Sequence, residues 1–221
     1  MGLGGVALLL ILLLTVIYMM HLVSSERRAT RSLDRLRATA INMLMCDFEI
    51  DLERLAERLA ADKAHEIKAV MTVQVDTSTS VRNDVAALRR VLDEVGHPAL
   101  LMIDCIACLG CDAFQMDAWG VDVMVTGCQK GLMTPPGMGF VFFNEKADRA
   151  RETANCVTPY WDWRPRVDPE AFYLYFCGTA PTHHLYGLRE ALDMIAEEGL
   201  DNVYRRHSVL ARSVWAAFER W

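Results

Sequence analysis

The sequence lacks charge at its start, since no Asp, Glu, Lys or Arg occurs among the first 25 residues. Residues 3–20 are apolar apart from Thr15 and Tyr18, a run long enough to cross a bilayer as a helix. A signal peptide fits less well, because the run has no positive segment before it and no small-residue cleavage site before Glu26. We therefore predict a transmembrane helix at residues 3–20. The alternatives are a buried helix or an upstream sequence wrongly joined to the gene.

The chain also lacks a basic patch with interleaved aromatic residues, and its formal net charge is −6. These features argue against a nucleic-acid partner. The seven cysteines are irregularly spaced, which favours a reducing compartment over a disulfide framework. The predicted location is cytoplasmic, and a membrane-anchored form would keep its body on the cytoplasmic side. That orientation follows from the basic residues after the apolar run: Arg27, Arg28, Arg31, Arg35 and Arg37.

What is present divides into three regions: the apolar segment 1–25, a basic and amphipathic connector 26–47, and an α/β body 48–221. Strands alternate with helices in the body, which predicts a mostly parallel sheet flanked by helices on both faces. The predicted strands are 67–75, 99–104, 121–126 and 138–143, and the predicted helices are 52–62, 84–95, 145–154, 185–198 and 202–220. Gly96 directly follows the helix 84–95 and is predicted to be its C-terminal cap.

Two polar residues follow buried strands in this pattern. Asp104 ends the apolar run 99–104, and Lys130 comes just beyond the strand 121–126. The carboxyl ends of parallel strands line one crevice, where ligands bind. An arbitrary acid and lysine at such an edge would form a salt bridge, so the surrounding sequence has to decide between that interpretation and a ligand site.

The surrounding sequence carries a series of short motifs. They are Asp104, Leu109–Gly110, Met116–Asp117 with Gly120–Val121–Asp122, Thr126–Gly127–Cys128–Gln129–Lys130, Pro135–Pro136–Gly137 and the stretch THHLYGLREALDMIAEEGLDNVYRRH. From about Phe48 to Trp221 the chain resembles the class V pyridoxal-phosphate-dependent aminotransferases, in particular the alanine/serine–glyoxylate group. The resemblance implies part of a fold type I (aspartate-aminotransferase-like) large domain, with the apolar helix added at the N-terminus.

The resemblance implies a role for each matching residue. Lys130 matches the lysine that forms a Schiff base with pyridoxal phosphate and then moves a proton between the substrate Cα and the cofactor. That work needs an amine able to lose its proton, which partial burial promotes. Asp104 matches the carboxylate that keeps the pyridine nitrogen protonated, so that the ring accepts electrons.

Four further residues match cofactor contacts in the family. Ile106 matches an aliphatic side chain on one face of the ring, although core packing alone would also explain it. Gln129 matches a phosphate contact, and Thr77 matches a hydroxyl near the phenolic oxygen. Thr179 matches a threonine that reaches the cofactor of the neighbouring subunit, which implies a homodimer with a shared active site.

The segment around Thr77 departs from the family pattern. Gln74, Asp76 and Ser80 stand where the family usually has His, Glu and Gly. We therefore expect Lys130 and Asp104 to follow the family more closely than this segment does.

The implied function is transamination between a small amino acid (alanine, serine or aspartate) and glyoxylate or pyruvate. Family members are considerably longer. They take a phosphate loop, a ring-stacking aromatic and a carboxylate-binding arginine from parts that this sequence does not match. The alternative is therefore a catalytically incomplete remnant that keeps the lysine motif. A desulfurase-like activity is disfavoured, because no mobile-loop cysteine is recognisable after Lys130.

Several other residues invite rival interpretations. The spacing Cys105-x2-Cys108-x2-Cys111, with Cys128, superficially resembles an iron–sulfur run, but it lacks the further cysteine and proline of that pattern. We predict no metal and small buried cysteines. We also predict structural roles for the pairs His183 and His184, Trp161 and Trp163, and Asp117 and Asp122, the last pair as turn or capping groups.

Overall fold

The computed structural model describes residues 49–155, 157–176 and 178–220. The predicted transmembrane helix at 3–20 and the connector 26–47 lie outside these residues. Within the described ranges, no helix is both long and apolar enough to span a membrane.

Strands and helices alternate in the described part of the chain, as predicted. The helices are α1 (Leu52–Ala61), α2 (Val85–Val95), α3 (Glu145–Glu152), α4 (Thr182–Glu198) and α5 (Leu200–Phe218), with short 3-10 helices at Arg164–Arg166 and Phe172–Phe176. The strands are β1 (Ala69–Val73), β2 (Leu100–Asp104), β3 (Val123–Gly127) and β4 (Gly139–Phe143). The largest boundary difference is at α4, which begins at Thr182 rather than at 185.

The four strands form one sheet in the order β1-β2-β3-β4. β1, β2 and β3 run parallel, with Val73 beside Asp104 and Asp104 beside Val125. β4 pairs antiparallel with β3, so that Gly139 lies beside Gly127. The predicted mostly parallel sheet is confirmed, and it is mixed because the chain between β3 and β4 turns back at the carboxyl edge.

Capping groups explain where the first two helices begin and end. Asp51 and Asp84 accept hydrogen bonds from Arg54 N and Ala87 N, at 3.0 and 2.9 Å, and so satisfy amides that a helix start leaves free. Gly96 ends α2 with φ of +68°, a left-handed conformation that glycine adopts without a Cβ penalty. The C-terminal cap predicted at Gly96 is confirmed.

One face of the sheet carries the main core. Leu59, Leu88 and Leu92 from α1 and α2 form a buried cluster with Leu101 and Ile103 of β2. Among the described residues the opposite face is partly exposed, so the prediction that helices cover both faces is confirmed only for the core face. On the opposite face Met71 is 41% exposed and Val141 46% exposed, because strand alternation turns them away from the helices that pack on the core side.

Candidate active site

The carboxyl ends of the three parallel strands bring three of the predicted site residues to one edge of the sheet. Thr77 follows β1, Asp104 ends β2, and Lys130 follows β3 by three residues. The parallel pairing puts these strand ends side by side. This topology supports the predicted placement of an acid and an amine at a common ligand-binding edge.

Asp104 keeps part of its carboxylate free. Its Oδ1 accepts a hydrogen bond from Ile106 N at 2.7 Å, which fixes the side chain over the start of the next loop. Among the described residues, no hydrogen bond or ion pair engages Oδ2. Asp104 and Ile106 are both half-buried, so a ligand placed at this edge would meet an oriented carboxylate oxygen beside an aliphatic side chain.

The turn after β1 is organised by Asp76. Its Oδ1 accepts from Ser78 N at 2.9 Å, from Thr79 N at 2.8 Å and from both hydroxyls. These hydrogen bonds, led by that of the Thr79 amide, lower the pKa of Asp76 to about 2 because they stabilise its ionised form. The turn holds Thr77 at an exposed position beyond the strand.

Ser80 completes this turn in a conformation that normally calls for glycine. Its φ is +61°, in the left-handed region that a Cβ disfavours. Ser80 N donates to Asp76 O at 2.9 Å, and this closes the turn. The departure from glycine at Ser80 therefore leaves the backbone path intact but adds strain.

Gln74 is a buried residue that connects the end of β1 to the end of β2 and to the loop that follows it. This side chain is 1% exposed, and its Nε2 donates to Ala113 O at 2.9 Å. Its Oε1 accepts from Cys108 Sγ at 2.9 Å, and its backbone N donates to Asp104 O, also at 2.9 Å. Sequence reasoning treated Gln74 as a departure and missed this role. The signal it offered was a polar residue directly after a buried strand.

Three of the four described cysteines lie in the core. Cys105 and Cys108 are 0% and 2% exposed, and Cys128 is 0% exposed. Hydrogen bonding with Cys108, and then burial, raise the pKa of the Cys105 thiol and so favour its protonated form. Burial also raises the pKa of Cys111. Across residues 49–155, 157–176 and 178–220, no cluster of three or more His, Cys, Asp or Glu could hold a metal.

The loop after β3 presents Gln129 and Lys130 on its surface. Both side chains are exposed, so the partial burial expected for Lys130 is absent. In the described part of the chain, Nζ of Lys130 has neither a hydrogen bond nor an ion pair. The backbone beneath it is closed by Thr134, whose N and Oγ1 donate to Cys128 O at 3.1 and 2.8 Å.

Helix α4 begins against this loop. Nε2 of His184 lies 3.1 Å from the carbonyl oxygen of Pro136, a hydrogen bond in which the ring nitrogen donates. A Cβ on Gly137 would lie 2.5 Å from the same nitrogen, and the φ of Gly137 is +154°. His184 therefore links the start of α4 to the turn at Pro136, and glycine at 137 lets the ring approach that turn.

The segment before α4 packs mainly through Trp163 and Asp162. Trp163 stacks on Phe143 of β4 with ring centroids 4.8 Å apart, whereas Trp161 is 77% exposed. Asp162 receives two 2.7 Å hydrogen bonds from the Arg151 guanidinium, which lower the pKa of this carboxyl. Thr179 is exposed and joins no other described residue by a hydrogen bond, so its predicted contact with a neighbouring subunit stays a prediction.

The side chains at the edge fit pyridoxal phosphate in their chemistry. An unengaged lysine amine can form a Schiff base with an aldehyde, and the free oxygen of Asp104 can accept a hydrogen bond from a protonated ring nitrogen. The predicted Gln129 and Thr77 add exposed polar groups on either side.

Comparison with known proteins settles the family. A family model described as Aminotransferase class-V matches residues 25–220. The chain belongs to the class-V aminotransferase family. This family depends on pyridoxal phosphate, and the resemblance to it expected from the motifs is confirmed.

Curated relatives of the chain include glyoxylate aminotransferases. The chain is 42% identical over 176 residues to the serine–glyoxylate aminotransferase of Methylorubrum extorquens, covering 76% of this chain and 43% of the relative. It is also 42% identical over 174 residues to the L-aspartate–glyoxylate aminotransferase of Paracoccus denitrificans, covering 78% and 43%. The chain thus spans less than half the length of these relatives.

A solved structure shares the fold. The alanine–glyoxylate aminotransferase from Nostoc sp. matches with a TM-score of 0.67 and 30% identity, covering 78% of this chain and 45% of that one. This likeness agrees with the α/β, mostly parallel sheet of the described residues and with the expected fold type I.

Proposed function

We propose that this chain takes part in pyridoxal-phosphate-dependent transamination between a small amino acid (alanine, serine or aspartate) and glyoxylate or pyruvate. The observation that carries the proposal is that Asp104 ends β2 and Lys130 follows the adjacent, parallel β3 by three residues, each with a polar atom that no described residue engages. Family membership and the glyoxylate aminotransferases among its relatives support the choice of substrates.

Lys130 would hold the cofactor covalently and later carry a proton to and from the substrate Cα. Its exposed side chain has no described ion-pair partner, so no salt bridge has to break before the amine reacts. The closed backbone of its loop fixes the point from which the side chain reaches. Lys130 therefore has an amine without a described partner and a backbone held in a fixed position.

Asp104 would bind the ring nitrogen through Oδ2. Its other oxygen is held by Ile106 N, so the free oxygen keeps one direction. Pyridoxal phosphate, when bound, supplies a conjugated ring that accepts electrons from the substrate Cα, and a carboxylate at the ring nitrogen favours that acceptance. Ile106 would pack on one ring face, while Gln129 and Thr77 would contact polar groups of the cofactor.

A homodimer would complete the site if Thr179 reaches the cofactor of a second subunit. Thr179 is exposed and lies just before α4, so it is free to make a contact between subunits. Sedimentation of the purified chain with and without pyridoxal phosphate tests this part of the proposal, which requires a dimer in the loaded state.

The main test is chemical trapping at Lys130. Borohydride reduction fixes a lysine-bound pyridoxal phosphate as a stable amine, and peptide mass spectrometry then locates it. The chain has four lysines, so the other three report nonspecific labelling: Lys63, Lys68 and Lys146. The proposal requires preferential labelling of Lys130 and its loss in Lys130→Ala.

A coupled assay of amino transfer from serine, alanine or aspartate to glyoxylate separates the proposed enzyme from an incomplete remnant. Turnover by the purified chain supports the enzyme, and trapping at Lys130 without turnover supports the remnant. Equal labelling of all four lysines would contradict both.

A further inference from the structure

Two glycines join the loop that carries Lys130 to the loop that follows Asp104. A Cβ on Gly131 would overlap Leu109 O and lie 2.9 Å from Cys111 Sγ. A Cβ on Gly110 would lie 3.0 Å from Gly131 O and 3.1 Å from Gly131 C. The two backbones therefore touch at a place where neither loop has room for a side chain.

Each loop is held by backbone hydrogen bonds of its own, so a shift at this contact would displace the neighbouring residues of the loop as well. After Asp104 the chain makes a helical turn, in which Leu109 N donates to Cys105 O at 2.9 Å. After β3, Met133 N donates to Lys130 O at 2.9 Å, with Met133 in a left-handed conformation at φ of +53°. A braced loop moves as a unit when one of its residues is displaced.

The strands below already fix one end of each loop. Cys105 N donates to Val125 O at 2.8 Å, and Thr126 Oγ1 donates to Cys105 O at 3.3 Å. The glycine contact fixes the other end, immediately after Lys130. The relative position of the two loops is thus set at two points, one at the strand ends and one between Gly110 and Gly131.

We infer that the Gly110–Gly131 contact is a spacer that sets the position of Lys130 relative to Asp104, which makes both glycines positioning residues. This inference rests on the proposed function, because it gives that spacing a purpose: an amine and an acid must reach opposite parts of one cofactor. Gly131 is the better position to test, because its φ lies outside the left-handed region. Alanine there adds a Cβ to the contact without backbone strain, whereas alanine at Gly110 adds both.

The test compares Gly131→Ala and Gly110→Ala with Gly139→Ala in the full chain. Gly139 lies at the same sheet edge, but its added Cβ would meet nothing closer than Thr126 O at 3.7 Å. After borohydride trapping, we expect Gly131→Ala to label Lys130 about tenfold less than the wild type does, because small misplacements of reacting groups slow their reaction. Labelling of Lys63 and Lys68 should stay unchanged, and Gly139→Ala should match the wild type.

A second readout needs no cofactor. Separating the loops would uncover the half-buried Cys111, so its alkylation in the cofactor-free protein should be faster in Gly131→Ala than in Gly139→Ala. Thermal melting of each variant shows whether the rest of the fold persists.

The outcomes separate this inference from the proposed function. If the wild type shows no preference for Lys130, the proposed function is overturned. The spacer is then tested only by the rate of Cys111 alkylation in Gly131→Ala compared with Gly139→Ala. A wild type that labels Lys130, beside a folded Gly131→Ala that labels it equally, overturns the spacer alone. If Gly131→Ala does not fold, Gly110→Ala decides by the same comparison, and failure of both to fold assigns the contact to the fold and overturns the inference.

Discussion

Asp104 and Asp122 lie at opposite edges of the sheet, and their carboxylates differ in how many hydrogen bonds they accept. Asp122 is 2% exposed; its Oδ2 accepts from Leu101 N at 2.8 Å and from Lys146 Nζ at 3.1 Å, and its Oδ1 accepts from Asn144 Nδ2 at 2.9 Å. Asp104 is half-buried and has one side-chain hydrogen bond. The fully hydrogen-bonded Asp122 holds a strand and a helix together, whereas Asp104 retains an oxygen that a ligand could bind.

This contrast also corrects the expected role of Asp122. The sequence pattern predicted a turn or capping group, but its side chain joins β2 to Asn144 and Lys146 at the start of α3 in one partly buried network. Buried charges are tolerated when they are paired and hydrogen-bonded, so this network belongs to the stability of the fold.

The largest effect is expected from breaking the paired acid. Asp122→Ala should lower the free energy of unfolding by about 3–5 kcal/mol, because it leaves a buried amide and an ammonium without their partner. Urea unfolding measures the change. Asp117→Ala is the matched control, since this exposed aspartate lies in the same segment and should change stability by no more than about 0.5 kcal/mol. A similar loss in both variants would remove the contrast.

Breaking the partly paired acid should affect chemistry instead of stability. Asp104→Asn keeps an oxygen for Ile106 N but removes the charge, so we expect the proposed transamination to fall about a hundredfold or more. The coupled assay measures the rate, and urea unfolding checks that stability is unchanged. Asp168→Asn, at an exposed position, is the control for both measurements. A variant that loses stability but keeps its rate would give Asp104 the role argued for Asp122.

Gln74 tests whether the Asp104 edge also contains a structural polar group. Gln74→Leu should cost about 1–3 kcal/mol, because Ala113 O and the Cys108 thiol lose a buried partner. Denaturant unfolding should show little change for Gln115→Leu, the same substitution at an exposed glutamine. Equal stability of the two variants would mean that the buried amide contributes nothing.

Ser80 sharpens the comparison through backbone strain. Ser80→Gly should raise the free energy of unfolding by about 0.5 kcal/mol, since relief of the left-handed conformation exceeds the added entropy of the unfolded chain. Thermal melts are sensitive enough to detect the shift. Ser80→Ala keeps the strain and should leave stability near that of the wild type; a gain there would point to the hydroxyl instead.

The smallest effect concerns acid sensitivity at Asp76. Its folded pKa of about 2 lies below the ordinary value of 3.8, so its contribution is complete above pH 3.8 and disappears as the pH falls through about 2. Unfolding measured across this window should show wild type and Asp76→Asn converging as the pH decreases, while their difference at neutral pH serves as the reference. A gap that widens in acid has the wrong sign for this explanation.

Local patterns predicted much of this molecule. Apolar and β-rich runs placed all four strands, and Gly96 marked the end of α2 because a left-handed cap favours a residue without a Cβ. The motif around Lys130 pointed to the family, which comparison confirmed. Gln74 and the exposed face at Met71 escaped prediction, since burial depends on which segments pack above a residue and not on its neighbours in sequence.

The sequence alone determined the order of strands and helices, the family, and the residues proposed as the reactive amine and acid, because these depend on local propensity and on motifs. Only the tertiary structure decided which acid is saturated and which retains a free oxygen. It also decided that Gly110 and Gly131 meet and that β4 turns back against β3. Such features arise from contacts between segments far apart along the chain, and no local pattern encodes the distance between them.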